Sequence, residues 1–577
     1  MENSTLEIPK KPARQFVSEN FDPGNWSEVE PRYKDLAERN IDNADDLNKW
    51  LQDWSELDAV ISENLGWRHI NMTCDTANKE FVDSYNFFIT EIEPKIAPWQ
   101  FKLQKKFDAC PFTKELDPVL FRNFFRQTRN AISIFREENI PLVMKMNQES
   151  QKYGSICGAL TITWDGKEIT LPQAANLLKE GDRSRREEAF RKVQEKRKSV
   201  ETDLDNLLNT LVEIRNQIGL NAGFKNFRDY KFVQLGRFDY SVEDCRKFHN
   251  SVSGALLPLV EKIDRKRKEK LKVNSLRPWD MEVDVSGKGP LKPFEGAKDL
   301  IQKTVHCFRN IDSWFSERIE IMNEMGHFDL ESRKGKAPGG YNYPLYEIGV
   351  PFIFMNAAGS QRDLVTMVHE GGHAVHSFLT RDLELTEFKG LPSEVAELAS
   401  MSMELISMEH WDSFYSDKND LKRARKEQLE KILRGILWIA RVDNFQHWLY
   451  ENPAHTAEER KQFWMQDGKR FTSSVIDWSG LEEFAAIGWQ GQLHIYEVPF
   501  YYIEYGFAQL GALAMWRNYL ADPQKTIGQY KEALKLGYTR SIPEIYQTAG
   551  ITFDFSPEYV SDLVSFVVKK YAELDED

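Results

Sequence analysis

Two histidines four residues apart enclose a glutamate in the segment His369–His373, which reads HEGGH. We expect a helix here, because Ser360 and Asp363 form a helix-start pattern and apolar residues continue at helical spacing after them. Residues four apart on a helix share a face, so both imidazoles can reach one metal ion. Glu370 can then take a proton from a water molecule at that ion. The pattern predicts metal-dependent hydrolysis.

A catalytic zinc ion typically has three protein ligands and leaves its fourth position to water, so a third ligand must come from another element. The segment 391–404 carries three glutamates among apolar neighbours, and carboxylates in apolar surroundings need a partner. Glu394 and Glu397 lie roughly on one helical face, and Glu404 follows Glu397 by seven residues on that face. Spacing alone leaves the choice between Glu394 and Glu397 open.

Two consecutive glycines, Gly371 and Gly372, lie inside this helical pattern. Each costs roughly 1 kcal/mol relative to alanine in a helix, so a surface helix has little reason to keep both. We therefore expect another part of the chain to come close to this turn. No cysteine lies near either ligand segment, which argues against a structural zinc site whose fourth position is closed by Cys or His.

The elements that must position these residues are predicted to be almost all helical. The exceptions are a β-hairpin at residues 160–171 with an Asp-Gly turn, a loop rich in Gly and Pro at 273–300, and a short apolar run at 351–355 that suits a strand. We divide the chain into an N-terminal helical region, residues 1–200, which includes the hairpin, and a catalytic domain, residues 201–577.

Composition excludes several function classes. The net charge of −14 argues against general nucleic-acid binding, which needs a basic face. The five cysteines are odd in number and include no CxxC pair, so a disulfide framework is not expected. We see no secretory signal and no apolar stretch of membrane-spanning length, and therefore expect a cytoplasmic protein with no membrane partner. The sequence gives no indication of oligomeric state.

The two glutamate-bearing motifs resemble the M3 family of metallopeptidases, in particular its oligoendopeptidase F group. That family has an H-E-x-G-H helix followed about two dozen residues later by E-x-x-S-x-x-x-E. Here Glu397 follows His373 by 24 positions and begins such a segment, with Ser400 and Glu404 at the matching places. The resemblance implies one zinc ion per chain with ligands His369, His373 and Glu397, Glu370 as the base, and Glu404 and His376 as residues that support the ligands.

The resemblance extends to two further segments. A glycine-rich loop at 338–341 resembles the loop near the family's substrate channel, and a histidine followed by tyrosines at 494–505 resembles its transition-state motif. Phenol and imidazole N–H groups can hydrogen-bond an oxyanion. The resemblance implies oxyanion donors at His494, Tyr502 and Tyr505, and substrate contacts at Gly339, Gly340, Tyr341, Tyr496 and Tyr501.

The family likeness implies a mainly α, clam-like body with a deep substrate channel, one small β-hairpin and a short strand region near the active site. We expect a zinc-dependent endopeptidase acting on short peptides, with the extended substrate pairing with the strand at 351–356. One alternative is an exopeptidase on the same scaffold, such as a dipeptidyl carboxypeptidase, which would need a cationic group for the substrate's terminal carboxylate. Another is a non-catalytic peptide-binding protein that contains zinc.

Overall fold

The computed structural model describes residues 6–576, and their contacts divide into two units that are interleaved along the sequence. Unit 1 consists of Met1–Ser133, Lys292–Ala424 and Ala508–Phe553. Unit 2 consists of Ile134–Leu291, Arg425–Phe507 and Asp554–Asp577. These units group residues by spatial contact, so the contiguous division at residue 200 stays a prediction.

Helices form most of the described chain, as the sequence predicts. In chain order they are α1 (Trp26–Glu38), α2 (Ala44–Cys74), α3 (Lys79–Phe87), α4 (Glu93–Ala109), α5 (Arg122–Ile134), α6 (Ile140–Gly158), α7 (Leu171–Ala175), α8 (Arg183–Lys198), α9 (Glu201–Asn221), α10 (Phe227–Gln234), α11 (Val242–Leu271), α12 (Gly296–Ile311), α13 (Ser313–Glu324), α14 (Gln361–Thr380), α15 (Thr386–Lys389), α16 (Ser393–Met408), α17 (Lys418–Glu451), α18 (Ala457–Gly468), α19 (Glu482–Ala486), α20 (Leu493–Glu497), α21 (Tyr502–Ala521), α22 (Pro523–Lys535), α23 (Ile542–Thr548) and α24 (Pro557–Glu576). Within residues 6–576, no helix combines the length and apolar character needed to cross a bilayer.

The predicted hairpin is present in unit 2. Strands β1 (Thr161–Trp164) and β2 (Lys167–Thr170) pair antiparallel across the turn Asp165-Gly166. Both turn residues have positive φ, 48° and 76°, which is the conformation that favours Asp-Gly in two-residue hairpin loops.

A three-stranded sheet in unit 1 leads into the first ligand helix. Its strands are β3 (Phe328–Glu331), β4 (Tyr341–Tyr343) and β5 (Phe352–Ala357), in the order β3-β5-β4. β5 is central, parallel to β3 and antiparallel to β4. The expectation that a peptide pairs with the 351–356 strand is therefore wrong, because both edges of that strand are already paired. Its two neighbours, β3 and β4, are the edge strands of the sheet.

Helices α14 and α16 lie in the interior of unit 1. Nearly every residue of α16 is buried, and only a few side chains of α14 reach solvent. Both helices carry polar side chains, and they are buried because other elements of unit 1 surround them on most sides. Polar side chains on these two helices are therefore held among apolar neighbours, where each one needs a defined partner.

Candidate metal centre

The HEGGH segment lies on α14, which begins with the predicted capping pattern. The backbone N–H of Ser360 donates to the carboxylate of Asp363 over 2.9 Å, and the Asp363 N–H returns to the Ser360 hydroxyl over 3.4 Å. The rings of His369 and His373 lie on one face with centroids 4.9 Å apart. Their side chains are 20% and 19% exposed, so both imidazoles border an accessible space.

The two glycines allow close contacts on two sides of α14, as the sequence predicts. A Cβ atom on Gly372 would lie 2.6 Å from Cα of Ser400 and 2.8 Å from the carbonyl oxygen of Ala399, both on α16. A Cβ atom on Gly371 would lie 2.7 Å from the ring of Phe308 on α12. The absence of side chains thus brings the backbone of α16 against the turn that carries both histidines.

This contact brings Glu397 to the histidines. Its Oε2 lies 3.4 Å from Nε2 of His369 and 3.7 Å from Nε2 of His373, and the three ligand atoms lie within 4.8 Å of one another. The hydroxyl of Ser400 donates to the same oxygen over 3.0 Å. Glu394, the alternative that spacing left open, does not belong to this group. We call the group of His369, His373 and Glu397 the α14 cluster.

The α14 cluster fits a catalytic zinc ion. Ligands 2.0–2.1 Å from a tetrahedral ion lie about 3.3 Å from each other, close to the separations of 3.4 and 3.7 Å between Glu397 and the two histidines. Two imidazole nitrogens and one carboxylate are a usual donor set for zinc in hydrolases. Among the described residues the group offers three donor atoms and no cysteine, so a tetrahedral ion held by all three would keep one position for water or substrate.

Glu404 holds the first histidine through its other ring nitrogen. The Glu404 Oε1 accepts from Nδ1 of His369 over 2.7 Å, which directs Nε2 toward Glu397. Such carboxylate–histidine contacts fix the orientation and tautomer of metal ligands. The Tyr530 hydroxyl on α22 donates to the carbonyl of Ala399 over 2.8 Å and ties the neighbouring turn of α16 in place.

Protons and cations compete for the α14 cluster. Burial opposes a charge on His369, but Glu397 and Glu404 outweigh it and hold its pKa well above the usual value. Burial also opposes ionisation of Glu397, yet the hydrogen bond from His369 and the charge of His373 lower its pKa to about 2. Burial lowers the pKa of His373 to about 4. The site therefore favours positive charge beside Glu397, which a divalent cation can supply in place of a proton.

Glu370 and His376 lie on the same helix with different surroundings. Glu370 is 7% exposed, and burial raises the pKa of its carboxyl to about 7. Its backbone carbonyl accepts from the side chain of Asn342 on β4 over 3.3 Å, which links the edge strand to the helix. His376 is 1% exposed, and burial lowers its pKa to about 3. It does not join the α14 cluster and packs inside unit 1 as a neutral ring.

The predicted glycine-rich loop precedes β4. Gly339 has φ 102° and is exposed, with no atom near the position of a Cβ. A Cβ atom on Gly340 would lie 3.4 Å from the carbonyl oxygen of Phe354. Tyr341 stacks on Phe354 at 4.8 Å, and its hydroxyl lies 2.6 Å from that of Thr73. The two glycines leave their backbone accessible, whereas Tyr341 is anchored on both sides, and the substrate contacts of all three stay predictions.

The histidine and tyrosines of the 494–505 segment lie together in unit 2. The ring of His494, on α20, lies 4.8 Å from Tyr502, 5.9 Å from Tyr505 and 6.1 Å from Tyr501, between centroids. Tyr502 and Tyr505 are 5.6 Å apart on the first turn of α21. Burial raises the pKa of Tyr502 to about 12, so its hydroxyl keeps its proton at neutral pH.

A turn at Phe500 sets the direction in which the chain enters α21, which carries Tyr502 and Tyr505. Phe500 has φ 68°, a left-handed conformation that a non-glycine residue adopts only when its surroundings hold it. Its N–H donates to Oε1 of Gln446 over 2.8 Å, and Arg237 contacts both its carbonyl and Glu504. These contacts fix where the first turn of α21 begins.

Gln492 sets the protonation of the His494 ring, and the sequence analysis did not identify it. The indole N–H of Trp438 donates to Gln492 Oε1 over 2.9 Å, and since indole can only donate, the amide NH₂ faces His494. That NH₂ lies 2.7 Å from Nδ1 of His494. Nδ1 therefore accepts, and the ring hydrogen lies on Nε2. No local sequence pattern points to this role: Gln492 and His494 are two positions apart, but Trp438, which orients the Gln492 amide, is 54 positions away and meets it only through folding.

The prediction that Tyr496 contacts substrate is wrong. Its side chain is fully buried in unit 2, stacked on Tyr153 at 4.5 Å and on Trp489 at 6.0 Å. Its hydroxyl donates to the carbonyl of Leu204 over 3.4 Å. Tyr496 is a core residue that anchors α20. Tyr501 is partly exposed beside His494, and its substrate contact stays a prediction.

Two family profiles match the chain. Peptidase family M3 matches residues 176–564, and Peptidase M3 N-terminal domain matches residues 16–135. The first match alone covers more than half of the sequence and includes every residue of the α14 cluster and of the 494–505 segment.

Known proteins resemble the chain over most of its length. Oligopeptidase PepF of Bacillus subtilis (strain 168) is 22% identical over 71% of this chain, and this chain spans 60% of that protein. Oligoendopeptidase F, plasmid, of Lactococcus lactis subsp. cremoris is 21% identical over 78% of this chain and 71% of that protein. The solved structure of PZ peptidase A with an inhibitor has a TM-score of 0.90 and 25% identity, covering 97% of this chain and 99% of that chain.

Proposed function

Because the chain belongs to peptidase family M3, we propose that it is a zinc-dependent endopeptidase that hydrolyses short peptides. The observation that carries the proposal is the convergence of His369, His373 and Glu397, with buried Glu370 adjacent in the same helix. Relatives whose names describe oligopeptidases and oligoendopeptidases support short peptides as the substrate class.

The proposed chemistry needs one cation and one mobile proton. When bound, zinc supplies Lewis acidity, which polarises the scissile carbonyl and makes water easier to deprotonate at neutral pH. Glu370 removes a proton from the attacking water while the water oxygen bonds to the carbonyl carbon. The same carboxyl then delivers that proton to the leaving nitrogen as the C–N bond breaks. Glu370 begins and ends the cycle as a carboxylate.

We place the substrate along β4, one of the two edge strands of the sheet. An extended peptide can pair with the unpaired edge of a strand through backbone hydrogen bonds, which holds any sequence without selecting side chains. Asn342 on β4 is tied to the backbone of Glu370, so a peptide held there has a fixed register with the base. The exposed Gly339 and Gly340 allow backbone to approach backbone before β4 begins.

We assign stabilisation of the oxyanion to His494, Tyr502 and Tyr505. Nε2 of His494 carries hydrogen, and the high pKa of Tyr502 keeps its phenol a donor, as this role requires. Loss of one such donor typically slows turnover about 10²–10³-fold. Replacing each tyrosine by phenylalanine and comparing kcat identifies which phenol acts; unchanged kcat in both variants and in His494→Ala would contradict the assignment.

Metal analysis and cleavage mapping test the function. The purified chain is assayed for bound metals and incubated with peptides that have free or blocked termini, and the cuts are located by mass spectrometry. We expect internal cuts in peptides blocked at both ends. Cuts confined to free termini would replace the endopeptidase by an exopeptidase, and no cut in any metal-loaded sample would remove the peptidase proposal.

Glu370→Gln tests the base directly. The amide cannot accept the water proton, so we expect kcat to fall about 10²–10⁴-fold while the metal content is unchanged. Glu324→Gln, an exposed position at the end of α13, is the matched control and should keep full activity. Substantial activity in the Glu370 variant would assign the base to another residue.

A further inference from the structure

A second group of ligand-type side chains lies inside unit 2. Cys245 and His249 are one turn apart on α11, and Asp443 and His447 are one turn apart on α17. Sγ of Cys245, a carboxylate oxygen of Asp443 and a ring nitrogen of His447 lie within 4.8 Å of one another. All four side chains are at most 3% exposed. We call these four residues the α11–α17 cluster.

The α11–α17 cluster contains buried polar atoms for which the described residues provide no hydrogen-bond partner. Oδ2 of Asp443 lies 2.8 Å from Nε2 of His249 and 3.1 Å from Nε2 of His447. Among the described residues, Oδ1 of Asp443, Nδ1 of His249 and both nitrogens of His447 make no hydrogen bond of good geometry. Buried polar atoms are nearly always satisfied, so several in one place indicate a bound species.

The surroundings of the cluster are aromatic. The His447 ring lies 5.9 Å from Phe232 and 5.3 Å from Phe500, and the His249 ring lies 6.5 Å from Phe471. A medium of this kind penalises net charge. A thiolate and a carboxylate balance the two charges of a divalent cation, and neutral imidazoles complete the set at zero net charge.

We propose that Cys245, Asp443 and His447 bind a second metal ion, a divalent transition metal of the zinc type. Sulfur, imidazole nitrogen and carboxylate oxygen together are the donors of such ions, whereas calcium and magnesium take oxygen ligands. Ligand atoms of a tetrahedral site lie about 3.3–3.6 Å apart, so the group closes on an ion through small side-chain rotations. His249 is a positioning residue that donates to Asp443 Oδ2.

We assign the proposed metal site a structural role: it supports the 494–505 segment, which carries the tyrosines. It connects α11 to α17, and Phe500 contacts the His447 ring directly. Gln446, the residue before His447, accepts the N–H of Phe500, whose left-handed conformation precedes Tyr501 and Tyr502. A metal that fixes this stretch of α17 also fixes the turn that aims the tyrosines.

Cobalt substitution tests the site on the unaltered chain. The protein is stripped of metal, reloaded with Co²⁺ alone and examined by absorption spectroscopy. A thiolate bound to Co²⁺ gives a sulfur-to-metal charge-transfer band in the near ultraviolet, and the α14 cluster contains no sulfur. We expect this band in the wild-type chain and in a His369→Ala variant. Its persistence in that variant separates this proposal from the proposed peptidase site.

Two cysteine variants complete the test. Cys245→Ala should abolish the charge-transfer band and lower the zinc content by one ion per chain in mass-spectrometric metal analysis. Cys307→Ala, an equally buried thiol in unit 1, is the matched control and should change neither. Absence of the band from the wild-type chain, or its loss with Cys307 rather than Cys245, would overturn the proposal and assign the unpartnered atoms to buried water.

Discussion

Two histidines in different units are held through the same ring nitrogen by opposite partners. In unit 1 the Glu404 carboxylate accepts from Nδ1 of His369 over 2.7 Å. In unit 2 the Gln492 amide donates to Nδ1 of His494 over 2.7 Å. The first contact leaves Nε2 to offer a lone pair, which a metal ligand needs. The second leaves hydrogen on Nε2, which an oxyanion donor needs.

The contrast shows that the neighbour decides what a histidine can do. A histidine is able to act as a metal ligand or as an oxyanion donor, and the hydrogen bond at its Nδ1 selects between these two roles. The selecting residues, Glu404 and Gln492, are themselves held: Glu404 by its position on buried α16, and Gln492 by Trp438. The following variants change the selecting residues or their supports.

Gln492→Glu is expected to have the largest effect. Above the pH at which the ring loses its second proton, the new carboxylate draws the remaining hydrogen to Nδ1 and removes it from Nε2. At lower pH the doubly protonated ring still donates. We therefore expect kcat to fall about 10²–10³-fold at alkaline pH and much less at acidic pH. The check is a pH profile of kcat beside wild type; parallel profiles would show that Gln492 does not set the tautomer.

Glu404→Gln should weaken metal binding and leave the rest of the mechanism intact. Loss of a carboxylate that orients a metal-bound histidine typically costs about 10–100-fold in affinity. The measurement is zinc affinity by competition with a coloured chelator. Glu409→Gln is the control, since this carboxylate near the end of α16 accepts from Trp516 instead. Equal zinc affinity in both variants would show that Glu404 does not support the site.

Gly372→Ala separates packing from ligation. The added Cβ would meet backbone atoms of α16 at 2.6 and 2.8 Å, so α14 and α16 must move apart. We expect a loss of about 1–3 kcal/mol in the free energy of unfolding, together with weaker metal binding. Gly254→Ala on α11, where no atom lies within 4 Å, should instead stabilise by about 0.5–1 kcal/mol. Denaturant titration measures both; a Gly372 variant as stable as wild type would refute the close contact.

Tyr496→Phe should have the smallest effect of these variants. It tests whether Tyr496 belongs to the core or to the substrate-contacting residues of the 494–505 segment. The variant loses only a hydrogen bond to the Leu204 carbonyl, worth about 0.5–1.5 kcal/mol or less at 3.4 Å. We expect slightly lower stability and unchanged kcat and KM. A large fall in kcat without a change in stability would return Tyr496 to the substrate-contacting residues.

The sequence was most informative where function is encoded locally. The spacing of His369, Glu370 and His373, the capping pattern at Ser360, and the Asp-Gly hairpin each depend on residues close in the chain, and the structure contains all of them as predicted. The family profile confirms the M3 resemblance drawn from two such motifs. Side-chain environments were less predictable, as Tyr496 shows: its position in a motif gave no information about its burial.

By itself, the sequence determined which helix presents the two imidazoles and that this helix must meet another element at its glycines. Spacing left Glu394 and Glu397 open, and within the sequence only the family resemblance favoured Glu397. The tertiary structure placed Glu397 beside both histidines, put β5 between β3 and β4, and brought Trp438 to the Gln492 amide. The reason is physical. Helical and turn periodicity act between residues a few positions apart. The ligand set, the strand order and the Trp438 contact that orients the Gln492 amide join residues that are distant in the chain and meet only when apolar faces pack.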